Sequence, residues 1–446
     1  MPPTSDLPTT RYARAGDVSI AYQTMGDAPL DLILVPGLVS HVEFGHELPG
    51  YTDFLRRLAA FARVTTFDKR GQGLSDRVAG VASLEERMDD LKAVMTALGV
   101  ERAVLMGYSE GGSMAALYTA TFPERVSRLI IYASMARFTR ADDYPHMPTL
   151  DEIRRSVRHW GTGASIKSFA PSLAGDPEAM RLQARVERMC ASPGAYRDML
   201  EANASIDVRA VLPQIRRPTL VLHHSGGRMV PVGNGRYFAE HIPGARYIEY
   251  PGGDHRPWAP EHAEQLVADV RSFVTGRRER VEESAGRALA TVLFTDIVDS
   301  TARAAALGDA AWRQVLDAYE AAAARQVATY RGRIVKTTGD GVLATFDGPG
   351  RAVRCALALG VEARALGIES RAGLHTGEVE TRGADIAGIA VNVAARIMGE
   401  AAPGEALVSR IATDLAAGAG LVFAERPPVE LRGVPGLWSL FAARSG

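Results

Sequence analysis

Arg333-Ile334-Val335-Lys336-Thr337-Thr338-Gly339-Asp340-Gly341-Val342-Leu343-Ala344-Thr345-Phe346 reads as strand, tight turn, strand. Ile334 and Val335 enter the turn, Gly339 and Gly341 bracket Asp340, and a β-rich apolar run leaves it. One carboxylate therefore stands at a hairpin tip, with Lys336 set back on the incoming strand. An ionised, solvent-reachable aspartate there is a good ligand for a hard metal ion, although Gly-Asp-Gly alone also suits a plain turn. What points to chemistry is Phe294-Thr295-Asp296-Ile297-Val298-Asp299-Ser300-Thr301, which puts a second carboxylate at the end of a buried strand starting near Ala290.

Working outward, Asp299, Ser300 and Thr301 offer N-caps for one long helix. Its apolar positions (Ala304, Leu307, Trp312, Val315, Leu316, Tyr319) recur near helical period as far as Tyr330. After the hairpin come a helix from about Gly350 to Leu366, a strand from Ser370, a helix Ala390 to Ile397, a short strand Ala406 to Ser409, another helix and two closing strands. This order predicts an α+β domain with antiparallel pairing. Asp296 and Asp340 would then meet at one edge and, with the Ile297 carbonyl, form an oxygen-rich site of the magnesium or manganese type, completed by substrate phosphates. Helix amides near Asp299 would face the same triphosphate. Asn392 and Arg396, four residues apart, share one helix face, where an amide can orient a sugar oxygen and a guanidinium can neutralise phosphoryl charge. Singly, those two suit a helix cap and a surface arginine.

With these residues in place, positions 290–441 resemble the catalytic domain of the class III adenylate and guanylate cyclases, which implies a ferredoxin-like α+β fold. The resemblance makes Asp296 and Asp340 ligands of two Mg2+ or Mn2+ ions per site, with the Ile297 carbonyl assisting. It makes Lys336 and Asp385 the pair that reads adenine, Asn392 and Arg396 the transition-state residues, and Arg432 a triphosphate contact where the family often has lysine. It implies ATP as substrate, cyclic AMP and pyrophosphate as products, and a homodimer in which the metal pair of one subunit meets the Asn and Arg of the other.

Upstream, Arg277 to about Leu289 is short and charged and reads as a linker between a domain of residues 1–276 and one of 290–446. In the first, continuous apolar strands (Asp31 to Val35, Val64 to Phe67, Ala103 to Gly107, Val126 to Ala133, Thr219 to His223, Ala245 to Tyr250) alternate with helices, so a parallel sheet covered on both faces is expected. Residues 135–212 break that rhythm and read as a helical cap. Gly107-Tyr108-Ser109-Glu110-Gly111 is a strand-to-helix nucleophile elbow, with the amides of Glu110 and Leu38 as oxyanion donors, and His255 sits where a general base belongs. A helix-capping serine and a structural histidine are the plain alternatives. These residues resemble the α/β-hydrolase superfamily, closest to its capped esterase, haloperoxidase-like and epoxide-hydrolase-like branch. The two-domain layout resembles actinobacterial hydrolase–cyclase fusions.

One departure matters. The family's triad acid falls at Gly227 in Gly226-Gly227-Arg228-Met229-Val230-Pro231. A histidine without its orienting carboxylate loses orders of magnitude in rate. A displaced acid, a slow Ser–His enzyme, and a fold kept for packing or for sensing a small ester or hydrophobic ligand all stay open.

Composition sets the frame. The chain has 446 residues, a net charge of −1 and only two cysteines, Cys190 and Cys355, so two globular domains and no disulfide framework are expected. No basic block tracks nucleic acid, no apolar run reaches membrane-spanning length, and Met1-Pro2-Pro3-Thr4-Ser5-Asp6 lacks signal-peptide character, giving a cytoplasmic expectation. The chain is arginine-rich with four lysines, so Lys336, alone in the second half, reads as a site that needs a compact ammonium.

Overall fold

The structure, a computed structural model, describes residues 7–276, 287–337, 339–382 and 385–445. It divides into two compact units, 1–282 and 283–446. Most of the expected linker, from 277 to 286, lies outside the described residues, as do Thr338 and Ala384.

The first unit is built on eight strands: β1 (Arg11–Ala15), β2 (Val18–Met25), β3 (Asp31–Val35), β4 (Arg63–Phe67), β5 (Ala103–Tyr108), β6 (Val126–Tyr132), β7 (Thr219–His224) and β8 (Arg246–Tyr250). They lie in the order β1-β2-β4-β3-β5-β6-β7-β8. The opening hairpin is antiparallel and β4 to β8 run parallel, as near-continuous burial of β5, β6 and β7 requires. Helices Tyr51–Ala59 and Ala263–Thr275 bury Leu55, Leu58, Leu266 and Val270 on one face of the sheet. On the other, the helix Leu84–Ala97 begins with a capping box, in which Ser83 and Glu86 satisfy each other's backbone amides. The segment after β6 carries the cap helices Leu150–Ser156, Ile166–Phe169, Pro177–Cys190 and Pro193–Asn203.

The second unit contains β9 (Arg287–Ile297), β10 (Arg333–Thr337), β11 (Val342–Phe346), β12 (Ser370–Arg382), β13 (Asp385–Ala387), β14 (Ala406–Ser409), β15 (Leu421–Glu425), β16 (Val429–Glu430), β17 (Leu437–Trp438) and β18 (Leu440–Ser445). Its main sheet runs β10-β11-β9-β12-β14-β18-β15, and the first four of these strands pair antiparallel in the ferredoxin-like order. Helices Asp309–Thr329 and Pro349–Ala365 pack Ala323, Val327 and Val353 on the Leu293 face. The helix Ile389–Glu400 packs Ala390 and Ala394 on the Val292 face.

Two local expectations are corrected. The single long helix after Asp299 is two, Ser300–Leu307 and Asp309–Thr329, broken at Gly308 with φ 78°. Asp299 does take the N-cap position, its carbonyl accepting from the Arg303 amide at 3.0 Å, but it sits at φ 55° and its side chain accepts no capping bond. The first strand also starts earlier than Ala290, because Arg287 faces Glu378 and Glu380 across β12 and extends the ladder through charge pairs.

Candidate active sites

β5 ends at Tyr108 and a helix begins at Glu110, so Ser109 alone makes the reversal, at φ 54° and ψ −130°. The turn needs small neighbours: a Cβ on Gly111 would meet the carbonyls of Val35 and Pro36 at 2.4 Å. Ser109, His255 and Leu38 line one cavity of about 980 Å³, walled mainly by apolar and aromatic side chains and partly by cap residues such as Ile166 and Leu182.

Beneath the elbow lies a buried ion network. Glu110 accepts from Lys69 Nζ at 2.5 Å and from Arg87 at 2.6 Å. Lys69 also donates to the Gly37 carbonyl at 2.7 Å, and Arg87 to Asn203 Oδ1 of the cap at 2.8 Å. Burial alone would raise the Glu110 pKa, but the two cations outweigh it and hold the carboxyl below its ordinary range. The network ties the residue after the nucleophile to the loop carrying the Leu38 amide, and Gln72 fixes that loop again by donating to the Leu38 carbonyl at 2.6 Å. The two expected oxyanion donors are thus held in mutual register.

No carboxylate reaches His255 among the described residues. Asp254, its neighbour in sequence, gives its oxygens to the Ser172 amide (3.0 Å), the Ser172 hydroxyl (2.7 Å) and Arg256 (2.6 Å). At the expected acid position, a Cβ on Gly227 would meet the Val230 carbonyl at 2.7 Å, so the backbone is shaped for glycine. His255 packs its ring near Tyr108 and Phe169, and its Nε2 is buried without a hydrogen-bond partner. Burial, with His223 and His224 nearby, lowers its pKa to about 3, where a triad carboxylate would have raised it.

In the second unit, Asp296 lies near the end of β9 and Asp340 in the β10–β11 turn, drawn together where the Ile297 amide donates to the Asp340 carbonyl at 3.0 Å. Asp296 Oδ2 accepts from Arg371 at 2.6 and 3.0 Å, and Asp340 Oδ2 from Ser300 at 2.5 Å. The other oxygen of each carboxylate takes no part in these bonds, and the Ile297 carbonyl lies in the same backbone stretch, a donor set that fits a hard divalent ion. These two carboxylates gather no third metal-ligating side chain among the described residues. Lys336 meets Asp385 at 3.0 and 3.2 Å. That ammonium bond, with the Ile386 amide, holds the Asp385 carboxyl below its usual range. Asn392 and Arg396 lie exposed on one face of the helix Ile389–Glu400 and make no hydrogen bond or ion pair with those four residues among the described residues. Arg432 is likewise exposed, beyond β16.

Residues 31–261, more than half of the chain, match the family model described as serine aminopeptidase, S33, a hydrolase family. Residues 283–441 match that of the adenylate and guanylate cyclase catalytic domain. The chain belongs to the S33 hydrolase family and carries a cyclase catalytic domain fused behind it. The first part of this hydrolase–cyclase fusion is 28% identical over 261 residues to a pimeloyl-[acyl-carrier protein] methyl ester esterase of Neisseria meningitidis, covering 57% of the fusion and 97% of the esterase. It is 27% identical to the bifunctional esterase/perhydrolase DCH of Acinetobacter calcoaceticus, covering 48% and 81%. A bromoperoxidase from Bacillus anthracis shares the fold of this part, with TM-score 0.53 at 22% identity, covering 60% of the fusion and 100% of that chain.

Two features of the fusion escaped sequence reasoning. Arg371 lies directly opposite Asp296 in the β9–β12 register, a neighbour that only the pairing reveals. The Lys69 network had a signal, since Lys69 is one of just four lysines in the chain.

Proposed function

We propose that the second domain converts ATP to 3′,5′-cyclic AMP and pyrophosphate as a homodimer with two shared sites, in a cytoplasmic protein whose domains span 1–276 and 290–446. The observation that carries this reading is the preformed Lys336–Asp385 pair, an ammonium and a carboxylate side by side at the surface. That pair offers a donor to a purine ring nitrogen and an acceptor to an exocyclic amine, which matches adenine and mismatches guanine. Asp296, Asp340 and the Ile297 carbonyl would hold the Mg2+ or Mn2+ ions. Held there, such ions would supply Lewis-acid chemistry that makes the ribose 3′-hydroxyl a better nucleophile and offsets phosphate charge. Asn392 orients the ribose, Arg396 neutralises charge gathering on the phosphoryl oxygens, and Arg432 grips the triphosphate. Support for a second subunit comes from the face that bears Asn392 and Arg396: Ile389 on the same helix is 75% exposed, and Leu437 near Arg432 is 68% exposed. Two free, buried cysteines suit a reducing compartment.

The test is complementation. Asp296→Ala and Arg396→Ala proteins should each be inactive, and their mixture should recover about a quarter of wild-type cyclic AMP formation, from one intact site in each mixed dimer. Activity in either variant alone, or none in the mixture, would overturn the shared-site reading.

For the first domain, we infer an acyl-binding pocket with Ser109 as nucleophile and His255 as an unassisted base, giving slow ester turnover. Turnover of a short p-nitrophenyl ester that survives Ser109→Ala would remove that role.

A further inference from the structure

The cavity of the first domain has a polar group that the Ser109 chemistry does not use. Asp68, one residue past β4, is fully buried and lines the cavity wall. Its Oδ2 is satisfied by the Val42 amide at 3.1 Å and the Leu74 amide at 2.9 Å. Its Oδ1 is buried and has no hydrogen-bond partner. The Ser40 hydroxyl stands within reach of this carboxylate, where it opposes the rise that burial gives the Asp68 pKa, and its other acceptor is Gln72 Oε1 at 3.4 Å. Burial raises the Asp68 pKa, and a donor brought to Oδ1 by a ligand would hold the carboxyl in its charged form.

Sheet geometry gives the spacing. β4 and β5 flank β3 and run parallel to it, with Thr66 level with Leu34 and Gly107 level with Val35. Asp68 and Ser109 therefore leave the same edge of the sheet two strands apart, on the order of 10 Å. Near Ser109, the Tyr108 hydroxyl and His255 Nε2 are also buried without partners and line the same cavity. Between the two polar positions the wall is apolar and aromatic, with Phe54, Phe67 and Met106 among its residues.

We propose that this cavity binds a largely apolar acyl ester or lactone that places its carbonyl at Ser109 and, on the order of 10 Å away, a hydroxyl or N–H donor on Asp68 Oδ1. Tyr108 and His255 serve the carbonyl end, and Asp68 selects among ligands of equal length by the presence and position of the donor. The proposal rests on the acyl-pocket reading of the first domain and is independent of what the second domain does.

Binding is measured by calorimetry on the full-length chain carrying Ser109→Ala, which blocks turnover. The probes are methyl dodecanoate, each of its monohydroxy positional isomers, and the matching oxo compounds. At least one hydroxy isomer should bind about tenfold more tightly than the parent ester, the range of a hydrogen bond to a charged acceptor. Asp68→Asn keeps an oxygen for the Val42 and Leu74 amides but presents N–H in place of Oδ1, so the preference should shift from that hydroxy isomer to the oxo compound at the same position. Ser40→Ala should leave the preference intact. The proposal is overturned if no hydroxy isomer exceeds the parent, if neither parent nor isomers bind, or if Asp68→Asn retains the hydroxy preference. Should Asp68→Asn fail to fold, the comparison of isomers with the parent decides alone. Ester turnover by the Ser109 protein is a separate readout, so a failed acyl-pocket reading is distinguishable from a failed Asp68 assignment.

Discussion

Lys69 and Lys336 each pair with a carboxylate, one in each domain, and the pairs could hardly differ more. Lys69 and Glu110 meet at 2.5 Å with 1% of each side chain exposed, whereas Lys336 and Asp385 meet at 3.0 Å with 51% and 54% exposed. The first pair has Arg87 and a backbone carbonyl around it, every charge answered, and nothing left for a ligand. The second has room on all sides and contributes little to folding, because water competes for both partners. The buried pair is therefore part of how the fold holds its elbow, while the exposed pair is available to be taken over by a molecule that matches both ends. The same contrast runs through the two sites. The elbow faces a cavity within one domain, whereas the Lys336–Asp385 pair and the Asn392–Arg396 face lie exposed.

Substitutions in the two domains should act differently. The largest effect is expected at the open site, where Asp296→Ala should lower cyclic AMP formation by about a thousandfold in a manganese assay while leaving the far-ultraviolet spectrum unchanged. Next, Lys69→Met should leave Glu110 with Arg87 as its remaining cation and the Gly37 carbonyl without its donor, costing about 2–3 kcal/mol in denaturant unfolding of the first domain. Lys336→Met, by contrast, should leave the unfolding midpoint unchanged yet raise the KM for ATP about tenfold. Equal stability losses in the two lysine variants would dissolve the comparison. A smaller effect is expected at Gly373, where an added Cβ would meet the Met398 amide at 2.1 Å. Gly373→Ala should push the helix Ile389–Glu400 off the sheet, costing about 1–3 kcal/mol and reducing cyclase activity while ester turnover is spared.

Acid should also separate the domains. Burial lowers the pKa of His224 to about 4 and of His255 to about 3, with His46, His223 and His262 lowered as well, while the second domain has only His375, at about 4. Below about pH 6.5 an unfolded histidine binds a proton that the folded one refuses, so stability falls as the pH drops from there toward 4. The first domain should lose thermal stability in that window more steeply than the second, as calorimetric scans at pH 7 and pH 5 would show.

Much of this was legible in the sequence, for physical reasons. Continuous apolar runs such as Leu105 and Leu129 to Tyr132 can be covered only by helices on both sides, so the parallel sheet followed from them. The elbow followed from small residues at fixed offsets around Ser109. The Asp340 turn followed from its flanking glycines. What escaped depends on neighbours distant in the chain. Arg371 meets Asp296 only through the strand register, and Arg87, Lys69 and Glu110 converge from three separate elements. Helical periodicity runs unbroken through Leu307 and Trp312, so the stop at Gly308 left no mark in the pattern. Arg287 to Leu289 looked like linker because their strand is secured by charge pairing and not by an apolar run.

Ser109 carries one more consequence. Its backbone sits at φ 54°, ψ −130°, where a side chain is resisted by about 1–3 kcal/mol and glycine is not. A Ser109→Gly chain would relax there and keep every buried contact of the network beneath, so the serine makes the native domain less durable than a one-residue change could make it. As a spacer alone, the domain would be improved by that change. The retained strain marks the hydroxyl, and the space it faces, as the part of the first domain that a stability-driven redesign would discard first and a function-driven one last.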